Sequence, residues 1–374
     1  MKIAVAAETQ PGESRVAASP DTVKSYAKKG LSVAVAAGAG RGSFIPDEAF
    51  ARAGAQIVAD GAGAPDADIL LTVRRPTLEL ARSVKRGAIV IGMLDPYADR
   101  AGLDELAKTG VTLFAMELMP RITRAQSMDV LSSQANLAGY KAVIDAAAHF
   151  SRAFPMMMTA AGTVPPAKVF VMGVGVAGLQ AIATARRLGA VVSATDVRKA
   201  TEEQVRSLGA KFVYADVADA ATSAGYAREL SEDDKRKQAE LVAEHLKNQD
   251  IVITTALIPG RPAPTLISEA MVDTMKPGSV IVDLAVERGG NTPLSKPDQV
   301  VRHNGVDIIG TVNLAGRLAG NASPLYAKNL ANFLDPLIGK DGSLNIDWKD
   351  EIVAGTLVAK DGALVHPMFT GGKE

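Results

Sequence analysis

Three glycines, one acid and one polar loop are the residues of this chain whose types and spacing could do chemistry. Gly173, Gly175 and Gly178 form a G-x-G-x-x-G turn that follows an apolar run and opens a helical pattern reaching Leu188; a second apolar run then stops at Asp196. In such a strand-turn-helix-strand unit the first glycine permits a tight turn. The second lets the backbone approach a pyrophosphate, and the third lets the helix pack closely on the strand. The start of the helix adds unpaired N–H groups and partial positive charge. Asp196 is placed to accept hydrogen bonds from adenosine ribose hydroxyls and to repel a 2′-phosphate, which favours NAD(H) over NADP(H), although Arg198 keeps the second dinucleotide open. The cofactor-binding residues read here are Gly173, Gly175, Val176, Ala177, Gly178, Asp196, Val197 and Arg198. A GxGxxG alone carries little weight in a chain with 34 glycines; the agreement of strand, helix and acid carries the assignment.

The densest polar cluster is Pro120-Arg-Ile-Thr-Arg-Ala-Gln-Ser-Met-Asp129. It follows a strand expected to end at Glu117, and ligands of α/β folds bind beyond the carboxyl ends of strands. Arg121, Gln126, Asp129 and Ser132 are therefore placed to face a cofactor, with Gln and Ser offering hydrogen bonds to a carboxamide. A solvated loop ending in a helix N-cap fits the same residues equally well.

Both groups need a scaffold, and the pattern supplies one. Apolar runs at 3–7, 31–36, 69–73, 88–94 and 111–117 alternate with helical segments after Ser19-Pro20-Asp21 and at 47–53 and 99–108. Continuous apolar strands alternating with helices predict a parallel sheet covered on both faces. A long helix is expected at 132–150. Further strands are expected at 211–215, 250–256, 279–285 and 306–312, and another helix at 323–338. The fold class is α/β, with two Rossmann-like domains whose parallel sheets flank a nucleotide-binding cleft. The C-terminal tail, with Asp341-Gly342 and Asp361-Gly362 turns, is expected to return to the first domain. Residues 1–133 plus 320–374 then form a discontinuous first domain, and 134–319 the dinucleotide-binding one. Two segments fall outside this scheme. Phe154 to Ala167 carries Met156, Met157 and Met158 and reads either as a buried loop or as a hairpin that covers its methionines with a second subunit. The stretch 216–231, rich in Ala, Ser and Gly around Tyr226, is longer than an ordinary βα loop and suggests a lid or disorder.

Composition removes other classes. Lys plus Arg and Asp plus Glu number 41 each, so no global charge points to nucleic acid or an anionic membrane. Zero cysteines exclude disulfides, thiolate metal sites and a Cys nucleophile. No apolar run approaches the roughly 20 residues of a spanning helix, and the first residues are too short for a signal peptide. The four histidines show no metal-ligand spacing, and no metal site is expected. No Walker A, H-E-x-x-H or G-x-S-x-G pattern occurs.

Three stretches carry a family resemblance: Pro11 to Pro20, Ala115 to Asp129, and Gly173 to Ala185. Together they resemble the NAD(H)-binding component, domain I, of proton-translocating nicotinamide nucleotide transhydrogenase, and the likeness covers nearly the whole chain. It implies that Arg121, Gln126 and Asp129 match the Arg-Gln-Asp loop holding the nicotinamide end of NAD(H), and are the catalytic positions. Ser132 matches a carboxamide contact, and Tyr226 matches the tyrosine of a mobile loop that closes over the nucleotide. It further implies a homodimer docking with an NADP(H)-binding component. Si-face/Re-face specific hydride transfer would be coupled to proton movement through a membrane component, with this chain on the cytoplasmic side and not inserted itself. Such a reaction needs no protein acid or base, because direct hydride transfer moves no proton at the substrate carbon.

Alanine dehydrogenase is the nearest alternative, since such enzymes look similar along Arg15 and the fingerprint. Amino-acid oxidation needs a cationic Lys and a general-base His. Those positions fall here on Arg74 and Met93. A non-catalytic NAD-binding regulatory protein is the third reading.

Overall fold

The computed structural model describes residues 1–59, 65–215, 231–258, 260–339 and 342–370. The chain begins with β1 (Lys2–Val5), α1 (Pro20–Lys28), β2 (Ser32–Ala36), α2 (Asp47–Arg52), β3 (Ala55–Val58), β4 (Ile69–Leu71), α3 (Leu78–Ser83), β5 (Ile89–Gly92), α4 (Arg100–Lys108) and β6 (Thr112–Ala115). Then come α5 (Val130–His149), a hairpin of β7 (Met157–Thr159) and β8 (Gly162–Val164), β9 (Lys168–Met172), α6 (Val176–Arg187), β10 (Val191–Thr195), α7 (Glu202–Ser207) and β11 (Lys211–Phe212). After α8 (Glu232–Leu246) follow β12 (Ile251–Thr254), α9 (Glu269–Val272), β13 (Val280–Asp283), β14 (Val300–His303) and β15 (Val306–Ile309). The chain closes with α10 (Ala319–Leu334), α11 (Glu351–Thr356), β16 (Leu357–Lys360), β17 (Ala363–Leu364) and α12 (Pro367–Thr370).

These elements make two compact units: Met1–Gln134 with Gly316–Glu374, and Ala135–Ala315. Among the described residues, the sheet of the first unit runs β17-β16-β6-β5-β4-β1-β2-β3 and that of the second β11-β10-β9-β12-β13-β15-β14. Successive side chains of a strand point to opposite faces, so a strand covered on both sides must be apolar throughout. β1 shows it: Ile3 and Val5 pack on one face with Val33, Val35, Ile69 and Leu71, while Ala4 packs on the other with Ala34 and Leu70. In the second unit Val169 and Val171 face one way and Phe170 and Met172 the other.

The expectation of parallel sheets needs amending at the edges. β14 pairs antiparallel with β15, β16 with β6, and β17 with β16. For two of these pairs, β14 with β15 and β16 with β17, the physical reason is turn chemistry. Asn304 and Gly305 both take positive φ between β14 and β15, as do Asp361 and Gly362 between β16 and β17, and two such residues in succession close a tight hairpin. Asn-Gly was a readable signal that the 306–312 strand had an antiparallel partner.

The 154–167 segment forms the β7–β8 hairpin, whose strands pair antiparallel about a turn at Ala160-Ala161. Met156 and Met158 on it are 59% and 79% exposed. Among the described residues, no helix is long and apolar enough to cross a membrane.

Candidate functional site

The second unit holds the fingerprint turn. β9 ends at Met172 and α6 starts at Val176, with Gly175 at its N-cap and no side-chain cap bond. The first-turn N–H groups therefore lack intrahelical acceptors and face the turn. Sterics impose each glycine differently. Gly173 has φ +100, and a Cβ there would lie 2.5 Å from Thr255 Oγ1. A Cβ on Gly178 would lie 1.9 Å from the Gly173 carbonyl oxygen, so the helix and strand could not approach. A Cβ on Gly175 would meet nothing within 4 Å. That open ground beside exposed Gly175 and Val176 suits a ligand needing close backbone approach, and a dinucleotide pyrophosphate fits it.

Asp196 closes β10 and is 7% exposed. Its Oδ2 accepts from the Val174 amide at 2.7 Å, and its Oδ1 from the Arg198 amide at 2.9 Å. Arg198 adds a two-pronged ion pair, Nε to Oδ1 and Nη2 to Oδ2, each at 2.8 Å. The carboxylate thus ties the far end of the βαβ unit to the glycine turn and draws the guanidinium onto itself. Gly173, Gly175, Val176, Ala177, Gly178, Asp196, Val197 and Arg198 come together around this turn; Tyr226 and the 216–230 stretch lie outside the described residues.

A second polar network of this unit escaped the sequence reading. Asp283, at the end of β13, is fully buried and accepts from Thr254 Oγ1, Ser295 Oγ and the amides of Ala285 and Asn291. Asn291, also fully buried, exchanges hydrogen bonds with the Ala256 backbone. An acid interrupting the apolar run 280–286 was the available signal.

The first unit holds the polar loop. Residues Thr123–Met128 form a 3₁₀ turn. Because side chains three apart eclipse in such a turn, Ile122, Ala125 and Met128 share one face and pack into the core, while Arg121 and Gln126 are exposed. Arg124 grips Asp350 with both terminal nitrogens, at 2.6 and 3.0 Å. The Ser127 carbonyl accepts from Asn329 Nδ2 at 2.8 Å and Asn332 Nδ2 at 2.9 Å. Asp129 accepts from the Ser132 amide at 2.9 Å and from Ser132 Oγ, so it caps α5. Arg121, Gln126, Asp129 and Ser132 therefore meet in one segment, and Asp129 and Ser132 bond to each other.

Beside the loop, beyond the carboxyl ends of β1 and β4, lies a buried charge cluster. Arg15, 3% exposed, sends Nε and Nη2 to the two oxygens of Glu13 at 2.7 and 2.6 Å and Nη1 to Gln134 Oε1 at 2.9 Å. Arg74 Nε reaches Glu13 Oε2 at 2.7 Å. Burial alone would raise the Glu13 carboxyl, but Arg15 and then Arg74 hold it down at about 2. Glu8 accepts from the amides of Val73 and Arg74, yet burial pushes it up to about 7. Burial also pushes Glu117 up to about 7. Arg74, at the position where amino-acid oxidation would use a Lys, is thus engaged by an internal carboxylate, and Met93, at its His position, packs against the core.

Comparison with known proteins shows the family. Residues 4–138 match the family model described as alanine dehydrogenase/PNT, N-terminal domain, and residues 142–367 match its C-terminal counterpart. An NAD(P) transhydrogenase alpha-subunit polypeptide of Rhodospirillum rubrum is 56% identical over 382 residues, covering 99% of each chain. A solved transhydrogenase structure from Sinorhizobium meliloti superposes with TM-score 0.87 at 54% identity, covering 99% of this chain and 100% of that one. An alanine dehydrogenase of Mycobacterium tuberculosis is more distant, at 35% identity over 302 residues, 79% of this chain and 76% of that protein. This chain belongs to the alanine dehydrogenase/PNT family, on the branch of the NAD(P) transhydrogenase alpha subunits.

Proposed function

We propose that this chain is the NAD(H)-binding component of a proton-translocating transhydrogenase, working with NADP(H)-binding and membrane-spanning components on other polypeptides. The observation that carries the reading is the glycine turn, where sterics require Gly173 and Gly178 but leave open ground at Gly175, in a chain 56% identical to a transhydrogenase subunit. When bound, NAD(H) supplies a hydride at its nicotinamide ring. Gly175 and the start of α6 receive the pyrophosphate, and Asp196, holding Arg198, serves the adenosine ribose. Val176, Ala177 and Val197 line the nucleotide. Arg121, Gln126, Asp129 and Ser132 serve the nicotinamide end, and Tyr226 serves the bound nucleotide. No side chain needs to move a proton at the reacting carbon, and the task of the protein is orientation and exclusion of water.

NADP(H) sits on the partner component, which the chain meets on the cytoplasmic side of the membrane. The exposed methionines of the β7–β8 hairpin suit a second copy of the chain, giving a homodimer. Amino-acid oxidation is disfavoured because the position of its general-base His falls on Met93, which cannot carry a proton, and that of its Lys on Arg74.

Mixing the purified chain with an NADP(H)-binding transhydrogenase component and following reduction of acetylpyridine adenine dinucleotide by NADPH tests the reading. Turnover only in the mixture is expected. No turnover with the partner, or robust NAD reduction with L-alanine alone, overturns it. Deleting residues 156–164 is expected to leave monomers, and an unchanged dimer refutes the hairpin assignment.

A further inference from the structure

The Arg121 to Asp129 loop has to present exposed Gln126 in one orientation. A 3₁₀ turn is short and its hydrogen-bond geometry poor, and its last carbonyls have no partner within the turn. In this chain the carbonyl next to Gln126 is not left to water. Ser127 O accepts two amide donors, Asn329 Nδ2 at 2.8 Å and Asn332 Nδ2 at 2.9 Å. Both come from α10, where residues three apart share a face, and a carbonyl has two lone pairs to receive them.

Asn329 is itself held. It is 8% exposed, and its Oδ1 accepts from Ser133 Oγ at 2.8 Å. Ser133 Oγ accepts from Gln134 Nε2 at 3.1 Å, and Gln134 Oε1 accepts from Arg15 Nη1. Gln134 Nε2 also reaches the Ala322 carbonyl of α10 at 3.2 Å. A continuous line of hydrogen bonds therefore runs from the buried Glu13–Arg15 pair to the backbone beside Gln126. Every member of it belongs to the first unit.

We propose that Asn329 and Asn332 are positioning residues for hydride transfer: by clamping the Ser127 carbonyl they fix the turn that presents Gln126. The proposal rests on the reading that Gln126 serves the nicotinamide. It separates orientation from affinity, because neither asparagine is asked to touch the nucleotide.

Asn329→Asp is the informative variant. It keeps the acceptor for Ser133 Oγ but replaces the donor facing Ser127 O with a carboxylate oxygen. Combined with Asn332→Ala it leaves that carbonyl without a side-chain donor from α10. Three quantities are read on the full chain: hydrogen exchange of the loop amides without nucleotide, the Kd for NADH by its fluorescence, and the hydride-transfer rate with the NADP(H)-binding component. The double variant is expected to exchange its 123–129 amides at least tenfold faster and to transfer hydride at least tenfold slower, with Kd changed less than threefold. Asn332→Ala alone, with Asn329 still in place, is expected to lose only a few-fold in rate. Adding Gln126→Asn to the double variant should cost less than it does in the native chain, since both changes act on one placement.

Unchanged exchange, or rate and affinity lost in equal proportion, overturns the proposal. Gln126→Asn in the native background keeps the two levels apart. If it slows hydride transfer while the asparagine variants do not, the clamp is wrong and the loop reading stands. If it slows nothing, the loop reading fails and the clamp with it.

Discussion

The glycine turn of the second unit and the Arg121 to Asp129 loop of the first are held in opposite ways. The turn is shaped by side chains that are missing. Gly178 has no Cβ to meet the Gly173 carbonyl, Gly173 has none to meet Thr255, and its acid closes the unit only 22 residues from Val174. The loop is shaped by side chains that are present but remote. Asn329 and Asn332 lie 202 and 205 positions from Ser127, and Asp350 lies 226 from Arg124. A site enforced by local exclusion tolerates change around it and none within it. A site enforced by distant hydrogen bonds is the reverse.

Gly178→Val tests that contrast most severely. Its Cβ would overlap backbone, which no rotamer relieves, so a loss of about 4 kcal/mol or more is expected, with NADH binding abolished. Thermal denaturation and fluorescence titration read both; a native Tm would mean that helix and strand are not in close contact. Arg15→Ala is the counterpart for the loop. Removing one partner of a buried pair costs about 3 kcal/mol. Its pH dependence follows from Glu13, whose carboxyl sits at about 2 when folded against an ordinary 4.5. A depressed acid stabilises the fold above about 4.5 and loses that contribution as pH falls towards 2. The deficit of the variant is therefore largest near neutrality and shrinks below about pH 4.5. A deficit that stayed constant on acidification would show that Arg15 acts through packing alone.

Gly175→Ala sharpens the comparison from the other side. The added methyl group meets no protein atom, so Tm should hold while NADH affinity falls about tenfold, equivalent to about 1.4 kcal/mol. Unaltered affinity would place the pyrophosphate elsewhere. Asp350→Ala is the mildest. The acid caps α11 through the Ile352 amide, worth about 1 kcal/mol, and its pair with half-exposed Arg124 is solvated and adds little. A loss of several kcal/mol in urea unfolding would show that the ion pair is less solvated than its exposure indicates.

The same division explains what could be read in the sequence. The α/β fold was legible, because apolar runs and glycine punctuation are local: Lys168 to Asp196 gave a strand, a helix and a strand where β9, α6 and β10 stand. Antiparallel edges were less legible, since pairing partners are chosen over distance, although Asn304-Gly305 announced one hairpin. Within the loop, the spacing of Ile122, Ala125 and Met128 contained the 3₁₀ face, but nothing near Ser127 named Asn329 or Asn332. Nor did anything near Glu13 and Arg15, two residues apart, reveal that Arg74 would join their ion pair. Charge pairs of this kind depend on which strand ends are brought side by side, which single-sequence patterns do not encode.

The return of the chain through α10 and β16 also sets an order of events in time. The first unit draws its cover from both ends of the polypeptide: Tyr326, Leu330 and Phe333 of α10 complete the core over β1 to β6, and β16 pairs with β6. The second unit lies wholly between them. On the ribosome the inner unit can finish while the outer one still waits for its last residues, contrary to the usual rule that the N-terminal part folds first. The 121–129 loop, synthesised early, therefore takes its final form only when Asn329, Asn332 and Asp350 have emerged.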